Sequence, residues 1–369
     1  MRKKLLKGVL PALLLLLGTL SLLLRSSAAA SGAGEGIALC IRSVIPSLFP
    51  FFVVSSAAVS MGYAEKISGR AEGFMEKLFC LPGACALPLT LSLISGSPAG
   101  VRSVGEMYRR GEIEKSHAER LLGFCNNCSP GFIIGMVGAG ILGSVSAGIY
   151  LYAIHILSSL AFGAISALFC KDAPIRKGNR THEKRKPPEP AAAFTDAVTS
   201  SWGAVLSVCA FVVFFSVVTA LLKDLGAPQL CADCLSRTFG FDRGAVLSLF
   251  TGFFEMTAGV SSISGGDLRL RLILCSLILG WSGLSSLCQA AAVAESAGLS
   301  AKNCLRGKAF QGLFSAAATI ITCPLLTERI SDAFMPIAGG MTSGLSLPFS
   351  LFLMGILFAW TALIAVLAR

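Results

Sequence analysis

What this 369-residue chain has least of is charge. Only 14% of its residues are Asp, Glu, Lys or Arg, against about 25% in an ordinary soluble domain, and its mean hydropathy is +0.74. That composition excludes a soluble globular fold and points to an all-α polytopic membrane protein. Histidine is nearly as scarce: His117, His155 and His182 are the three, and they are not grouped. A metalloenzyme or a nucleophile–base catalyst would need more than that. Cys125/Cys128 and Cys231/Cys234 have CxxC spacing, but neither has a second pair or a His at zinc-ligand distance along the chain. No catalytic residue, metal ligand or cofactor is expected. Glu255 is the only carboxylate well inside an apolar segment.

The apolar segments come in order. Residues 1–36 hold a membrane anchor or signal-like span, with Arg2-Lys3-Lys4 leading into Leu5–Leu24. At 20 residues this run is long enough to cross about 30 Å as a helix, longer than the core of a signal peptide, and it reads as a retained span. Ile37–Ser60 is a second span, kinked at Pro46 and Pro50. Tyr63–Phe79 mixes charge and apolar residues as an interfacial helix does. Cys80–Ile94 is too short to span and suits a re-entrant hairpin with Ser95–Gly100 at its tip. Val101–Leu122, rich in ionisable residues, is expected on the surface as one or two helices broken at Gly111. Phe124–Gly143 is a span that begins with the Asn126-Asn127 break, and Ala147–Cys170 is another; His155 in the latter reads as an interhelical hydrogen-bonder.

A basic, Pro-rich linker (residues 171–196) follows, and the pattern restarts. Trp202–Leu222 is a span, Phe241–Ile263 a broken segment holding Glu255, and Leu268–Ala290 a segment broken at Ser282-Gly283-Leu284-Ser285. Cys231 and Cys234 are expected in an outside loop. Phe310–Leu326 and Pro348–Leu367 close the chain. The organisation is thus two repeats, residues 37–170 and 197–326, with residues 327–369 forming an outside loop and a last span. Ile41–Gly62 aligns with Val205–Gly226 without a gap, through Ser43/Ser207, Val44/Val208 and Phe51/Phe215 among others. Farther on, Ala99-Gly100 meets Ala258-Gly259 and Asn126–Ser129 meets Gly280–Gly283, although a rival register pairs Ser95-Gly96 with Ser282-Gly283.

About eight full spans plus two re-entrant hairpins, with both termini cytoplasmic, put most of the 31 Lys/Arg inside, as the positive-inside rule requires. The net charge of +11 therefore orients the chain, and no nucleic-acid partner is expected. The two repeats then run in opposite senses, the inverted architecture that supports alternating access.

Polar, helix-breaking clusters within apolar surroundings are tolerated only where protein or a cavity covers them. Paired breaks of this kind mark transporter sites made of discontinuous helices. The candidate solute contacts are Ser95, Gly96, Ser97, Asn126, Asn127 and Ser129 in the first half, and Thr257, Ser282, Ser285 and Gln289 in the second. Ser95 and Ser97 stand at a hairpin tip whose helix N-terminus offers free N–H groups to a carboxylate. Glu255, a lone acid in an apolar segment, should be protonated or paired, and is the candidate for proton coupling; sodium is the other coupling ion considered. A structural acid bonded to neighbouring backbone is the plainer alternative. Phe132, Phe254 and Trp281 are candidate stacking surfaces for a planar ring.

Ser95-Gly96-Ser97-Pro98-Ala99-Gly100, Ala118-Glu119-Arg120-Leu121-Leu122, the run Cys125–Gly135 with its Asn126-Asn127, Phe254–Gly259 and Gly280–Gln289 resemble the YlbJ-type sporulation integral membrane proteins, which carry the nucleoside-recognition Gate domain. Cys125, Cys128 and Trp281 depart from that pattern. The resemblance implies a fold similar to the core of concentrative nucleoside transporters, a place in the cell membrane or outer forespore membrane, and export of dipicolinate from the mother cell into the forespore intermembrane space for spore maturation. The partners expected are a small-molecule substrate, membrane lipid and, as an open point, a second copy of the chain. Transport of a nucleoside or related solute and a non-transporting scaffold in spore cortex assembly are the alternatives.

Overall fold

The computed structural model describes residues 2–61, 63–169, 190–263 and 267–331. Among them every regular element is helical. The expected last span, the centre of the linker and the 327–369 segment beyond Ser331 lie outside the described residues.

The chain opens with α1 (Arg2–Leu24) and α2 (Ser26–Leu39), which runs through a π-helical turn at Cys40–Val44 into α3 (Ile45–Ser60). Ser26–Ala57 is thus one long apolar helix. Pro50 lies inside α3, a kinking position because proline removes one helix hydrogen bond. α4 (Tyr63–Phe79) is the mixed-charge helix expected there. The chain then bends by 109° between Gly69–Phe79 and Gly83–Ile94 and enters a short helical hairpin. Its arms are α5 (Ala86–Ile94) and α6 (Ala99–Arg109).

α6 corrects the expectation of a surface segment. Val101, Val104 and Met107 are buried in an apolar core with Leu81, Leu121 and Ala290, while Arg102, Glu106 and Arg109 are exposed. One face of a helix can be solvated while the other packs, and a tally of charges does not distinguish the two. Arg120 on α7 (Lys115–Leu121) is a second correction: it is buried, and its guanidinium donates to the carbonyls of Phe79 and Cys80 at 2.7 and 2.6 Å. It thereby holds the C-terminal end of α4, where orphan carbonyls need donors.

Phe124–Gly143 begins, as expected, with the break at Asn126-Asn127. Its first residues are unwound, and Gly131–Ile141 winds as a π-helix. α8 (Val145–Leu168), capped by Ser144, and α9 (Pro190–Asp224) are long apolar helices. α10 (Ala227–Phe239) replaces the expected outside loop around Cys231 and Cys234. Both thiols are free and exposed, one turn apart on it. α11 (Arg243–Phe254) and α12 (Met256–Ser261) form a second hairpin, closed by Ser248 Oγ donating to the Ser262 carbonyl. α13 (Leu268–Trp281) and α14 (Gly283–Ser296) are halves of one broken helix, and α15 (Lys302–Ser331) packs along α13 and α8.

Among the described residues four helices are long and apolar enough to cross a membrane, five if the bent pair counts as one span. Exposed Leu157, Phe214, Leu313 and Ile321 on the long helices suit a surface facing acyl chains rather than water. Two apolar cores lie inside: one joins α3, the π-helix, α9 and α13, the other α4 to α7 with α14.

Candidate functional site

Each hairpin tip meets an unwound turn. At the first tip, the Ser97 amide donates to the Asn127 carbonyl at 2.7 Å, tying tip to turn by main chain alone. Gly96 has φ +78, and a Cβ there would fall 2.8 Å from the Ser129 amide nitrogen, so only glycine allows this approach. At the second tip, Glu255 is extended and precedes α12. The facing turn is Ser282-Gly283, both with positive φ. A Cβ on Gly283 would lie 2.9 Å from the Met256 amide nitrogen. The two tip–turn pairs touch through Cys128, whose Sγ is 3.5 Å from Met256 Sδ and 4.0 Å from Ser282 Oγ.

Between them lies a small cavity of about 70 Å³. Ser97, Asn126, Asn127, Ser129, Glu255, Thr257, Ser282, Ser285 and Gln289 line it. These are the candidates named from the sequence, except Ser95 and Gly96, which stay behind the tip. Sequence reading missed Ser286 and the apolar wall of Val44, Leu48, Phe52, Val208, Phe211 and Val212. Those residues come from α3, α9 and the π-turn, and look like plain packing until the two halves are brought together. Of the aromatic candidates only Phe132 reaches the cavity. Trp281 stacks instead on Phe253 (5.3 Å, 8°) and donates to its carbonyl; its position one residue before the left-handed Ser282 points it outward.

Asn126 and Asn127, adjacent in sequence, are used differently. Both are 2% exposed. Asn127 Nδ2 donates to Ser92 Oγ (3.0 Å) and to the Phe124 carbonyl (2.8 Å), and its Oδ1 accepts from Gln311 Nε2 (3.2 Å). Its carboxamide therefore braces the turn. Among the described residues Asn126 Oδ1 and Nδ2, like Ser97 Oγ, have no partner, although buried polar groups are as a rule hydrogen-bonded. A carboxamide and a hydroxyl left unpaired against a cavity are what a polar ligand would satisfy.

Glu255, 2% exposed, turns onto its own helix: its carboxylate accepts from the Thr257 and Ala258 amides. This is an ordinary N-cap, the plainer of the two roles expected for it. The second half has a further helix start without a side-chain cap. α14 begins at Gly283, Ser282 gives it no side-chain cap, and Ser285 and Ser286 of its first turn line the cavity.

Behind the first turn stand His155, the interhelical hydrogen-bonder expected from the sequence, and other residues that the sequence did not single out. His155 Nε2 accepts from the Cys128 amide (3.1 Å), and Ser159 Oγ donates to the Phe124 carbonyl (2.9 Å). From α15, Gln311 Nε2 also donates to the His155 carbonyl (2.9 Å), and Lys308 Nζ donates to Gln311 Oε1 (2.8 Å). Lys308 is 1% exposed, so it is not a solvated cation of the kind the positive-inside rule counts. Among the described residues no group of three or more His, Cys, Asp or Glu could hold a metal ion.

The comparisons with known proteins agree with this architecture. The family model described as Gate, nucleoside recognition, matches residues 41–169. The sporulation integral membrane protein YlbJ of Bacillus subtilis (strain 168) is 28% identical over 340 residues, covering 84% of this chain and 81% of that protein. Among solved structures, CNTnw in an inward-facing substrate-bound state matches with a TM-score of 0.51 at 14% identity, over 82% of this chain and 85% of that one. The likeness to CNTnw is one of fold. Together these findings bear out the resemblance carried by the motifs: the chain is an integral membrane protein with a transporter-like fold.

Proposed function

We propose that this chain carries a small planar anionic solute across a membrane during sporulation, with dipicolinate exported from the mother cell into the forespore intermembrane space as the solute. The observation that carries the reading is the unpaired, buried Asn126 and Ser97 facing a cavity between two tip–turn pairs. An apolar wall with Phe52, Phe132 and Phe211 suits the faces of a ring. The uncapped first turn of α14 suits a carboxylate, because helix N-termini present free N–H groups and a positive dipole end. Sporulation enters through the likeness to YlbJ, and dipicolinate through the family resemblance.

In this reading residues 37–170 and 197–326 are inverted repeats that rock about the cavity. Both termini and the linker are cytoplasmic, in the outer forespore membrane. Glu255 couples transport to protons by taking up a proton as it gives up its cap when a solute carboxylate arrives. A nucleoside-like solute is the second reading, favoured by the description of the matching family model. The test is uptake of radiolabelled dipicolinate, and of uridine in parallel, by proteoliposomes of the purified full chain. Saturable dipicolinate uptake that disappears in Asn126→Ala is the expected result. Uridine uptake alone would replace the solute, and uptake of neither would leave a scaffold.

A further inference from the structure

The buried cation on α15 has no role in the site as described so far. Lys302 and Arg306, on the same helix, are exposed, whereas Lys308 is enclosed. Its ammonium has three N–H donors, and among the described residues its one acceptor is Gln311 Oε1 at 2.8 Å. No carboxylate among them pairs with it. A buried charge lacking a counter-charge is costly, so its place behind a ligand cavity calls for an explanation. The groups around it supply no opposite charge. His155 Nε2 accepts a backbone N–H and so carries no proton on that nitrogen, while Cys128 and Cys304 bring thiols. Glu255 lies on the other hairpin, with its carboxylate on the α12 amides.

The hydrogen bond from Lys308 starts a chain that runs towards the cavity. Because Gln311 Oε1 faces the ammonium, Gln311 Nε2 is turned to Asn127 Oδ1 at 3.2 Å. Asn127 Nδ2 in turn donates onward to Ser92 Oγ and the Phe124 carbonyl. The cation is therefore one side-chain amide and two hydrogen bonds from a residue that lines the cavity. We propose that Lys308 is the specificity-determining residue of the site: its buried charge, held at the back of the unwound turn by Gln311 and Asn127, makes the cavity prefer an anionic solute. This rests on the transport reading above and gives that reading its charge selection. At an effective dielectric of about 20, a unit charge on the order of 10 Å from a solute would alter affinity by roughly fifteenfold for each charge on that solute.

The test compares binding of dipicolinate and of its uncharged analogue pyridine-2,6-dicarboxamide to the purified full chain in detergent, by equilibrium dialysis. Wild type is expected to favour dipicolinate. Lys308→Met should lower dipicolinate affinity at least tenfold while changing that of the diamide less than about threefold. Lys308→Arg should keep the preference. Lys308→Gln retains an N–H donor for Gln311 without the charge, and should lose discrimination as Met does even if the Met variant folds poorly. Equal losses for both ligands, or an unchanged ratio in Lys308→Gln, would overturn the charge role while leaving transport intact. A wild-type chain that binds neither compound overturns the solute reading and this inference with it.

Discussion

Replacing Asn126 and Asn127 in turn by alanine should separate solute binding from folding. The two are neighbours and equally buried, but among the described residues Asn127 makes three side-chain hydrogen bonds and Asn126 none. Inside membrane proteins such bonds average about 0.6 kcal/mol and reach about 1.7, so Asn127→Ala should cost about 2–3 kcal/mol. Part of the loss is softened: the Phe124 carbonyl keeps Ser159, and Gln311 keeps the His155 carbonyl. Asn126→Ala removes an unpaired buried amide and should leave stability unchanged or raise it by about 1 kcal/mol. Melting followed by size exclusion in detergent reads the first quantity, at a few degrees per kcal/mol. Equilibrium binding of labelled dipicolinate reads the second, with affinity falling at least tenfold in Asn126→Ala. If Asn126→Ala melts lower than Asn127→Ala, or binds solute as wild type does, the division of labour between them is wrong.

Three other substitutions and one labelling experiment probe the rest. Glu255→Gln keeps an acceptor for the α12 amides and should cost no more than about 1 kcal/mol, with binding retained but pH-dependent, gradient-driven accumulation in proteoliposomes lost; concentrative uptake in this variant would leave Glu255 as a cap only. Gly283→Ala puts a Cβ 2.9 Å from the Met256 nitrogen at φ +73 and should cost roughly 2 kcal/mol or more, abolishing uptake; near-normal melting and uptake would show that tip and turn can part freely. Arg120→Met strips donors from the Phe79 and Cys80 carbonyls and should lower stability by about 1.5–3 kcal/mol, measured as a drop in melting temperature, an unchanged melt being the contrary result. A single cysteine at position 180 in a Cys-free background should react with an impermeant maleimide only after permeabilisation, and labelling of intact cells would reverse the orientation of the repeats.

The breaks were readable because their signal is local. Gly96, Pro98, Gly283 and the polar residues beside them interrupt apolar runs, and a helix in an apolar medium has few other reasons to stop. Tyr63–Phe79 was readable for the same reason, its charges recurring within a helical window. What escaped depends on which way a side chain faces after folding. Lys308 stands two residues from Arg306, and nothing in the sequence says that one turns to water and the other to Gln311. Arg120 sat among charges expected to be solvated, yet it closes α4. The different uses of Asn126 and Asn127 depend on how the turn between Phe124 and Pro130 is twisted. That twist is set by His155 and Gln311, on helices that come later in the chain.

The chain that runs from Lys308 through Gln311 to Asn127 also dictates an order of manufacture. The first hairpin can dock on its turn once both have left the ribosome, since Ser97 and Asn127 are close in sequence. The Asn127 amide, however, waits for Gln311, 184 residues downstream. Until then a nascent chain in the membrane holds a half-satisfied carboxamide, and an early docked state can still reopen. Lys308 must itself be drawn into the bilayer against its hydration, and Gln311, the acceptor that meets it there, is already committed to the first half. Insertion of α15 thus works as a final check: a chain whose first turn has folded wrongly offers the lysine no seat. Such a chain should expose α15 to proteolysis from the aqueous side.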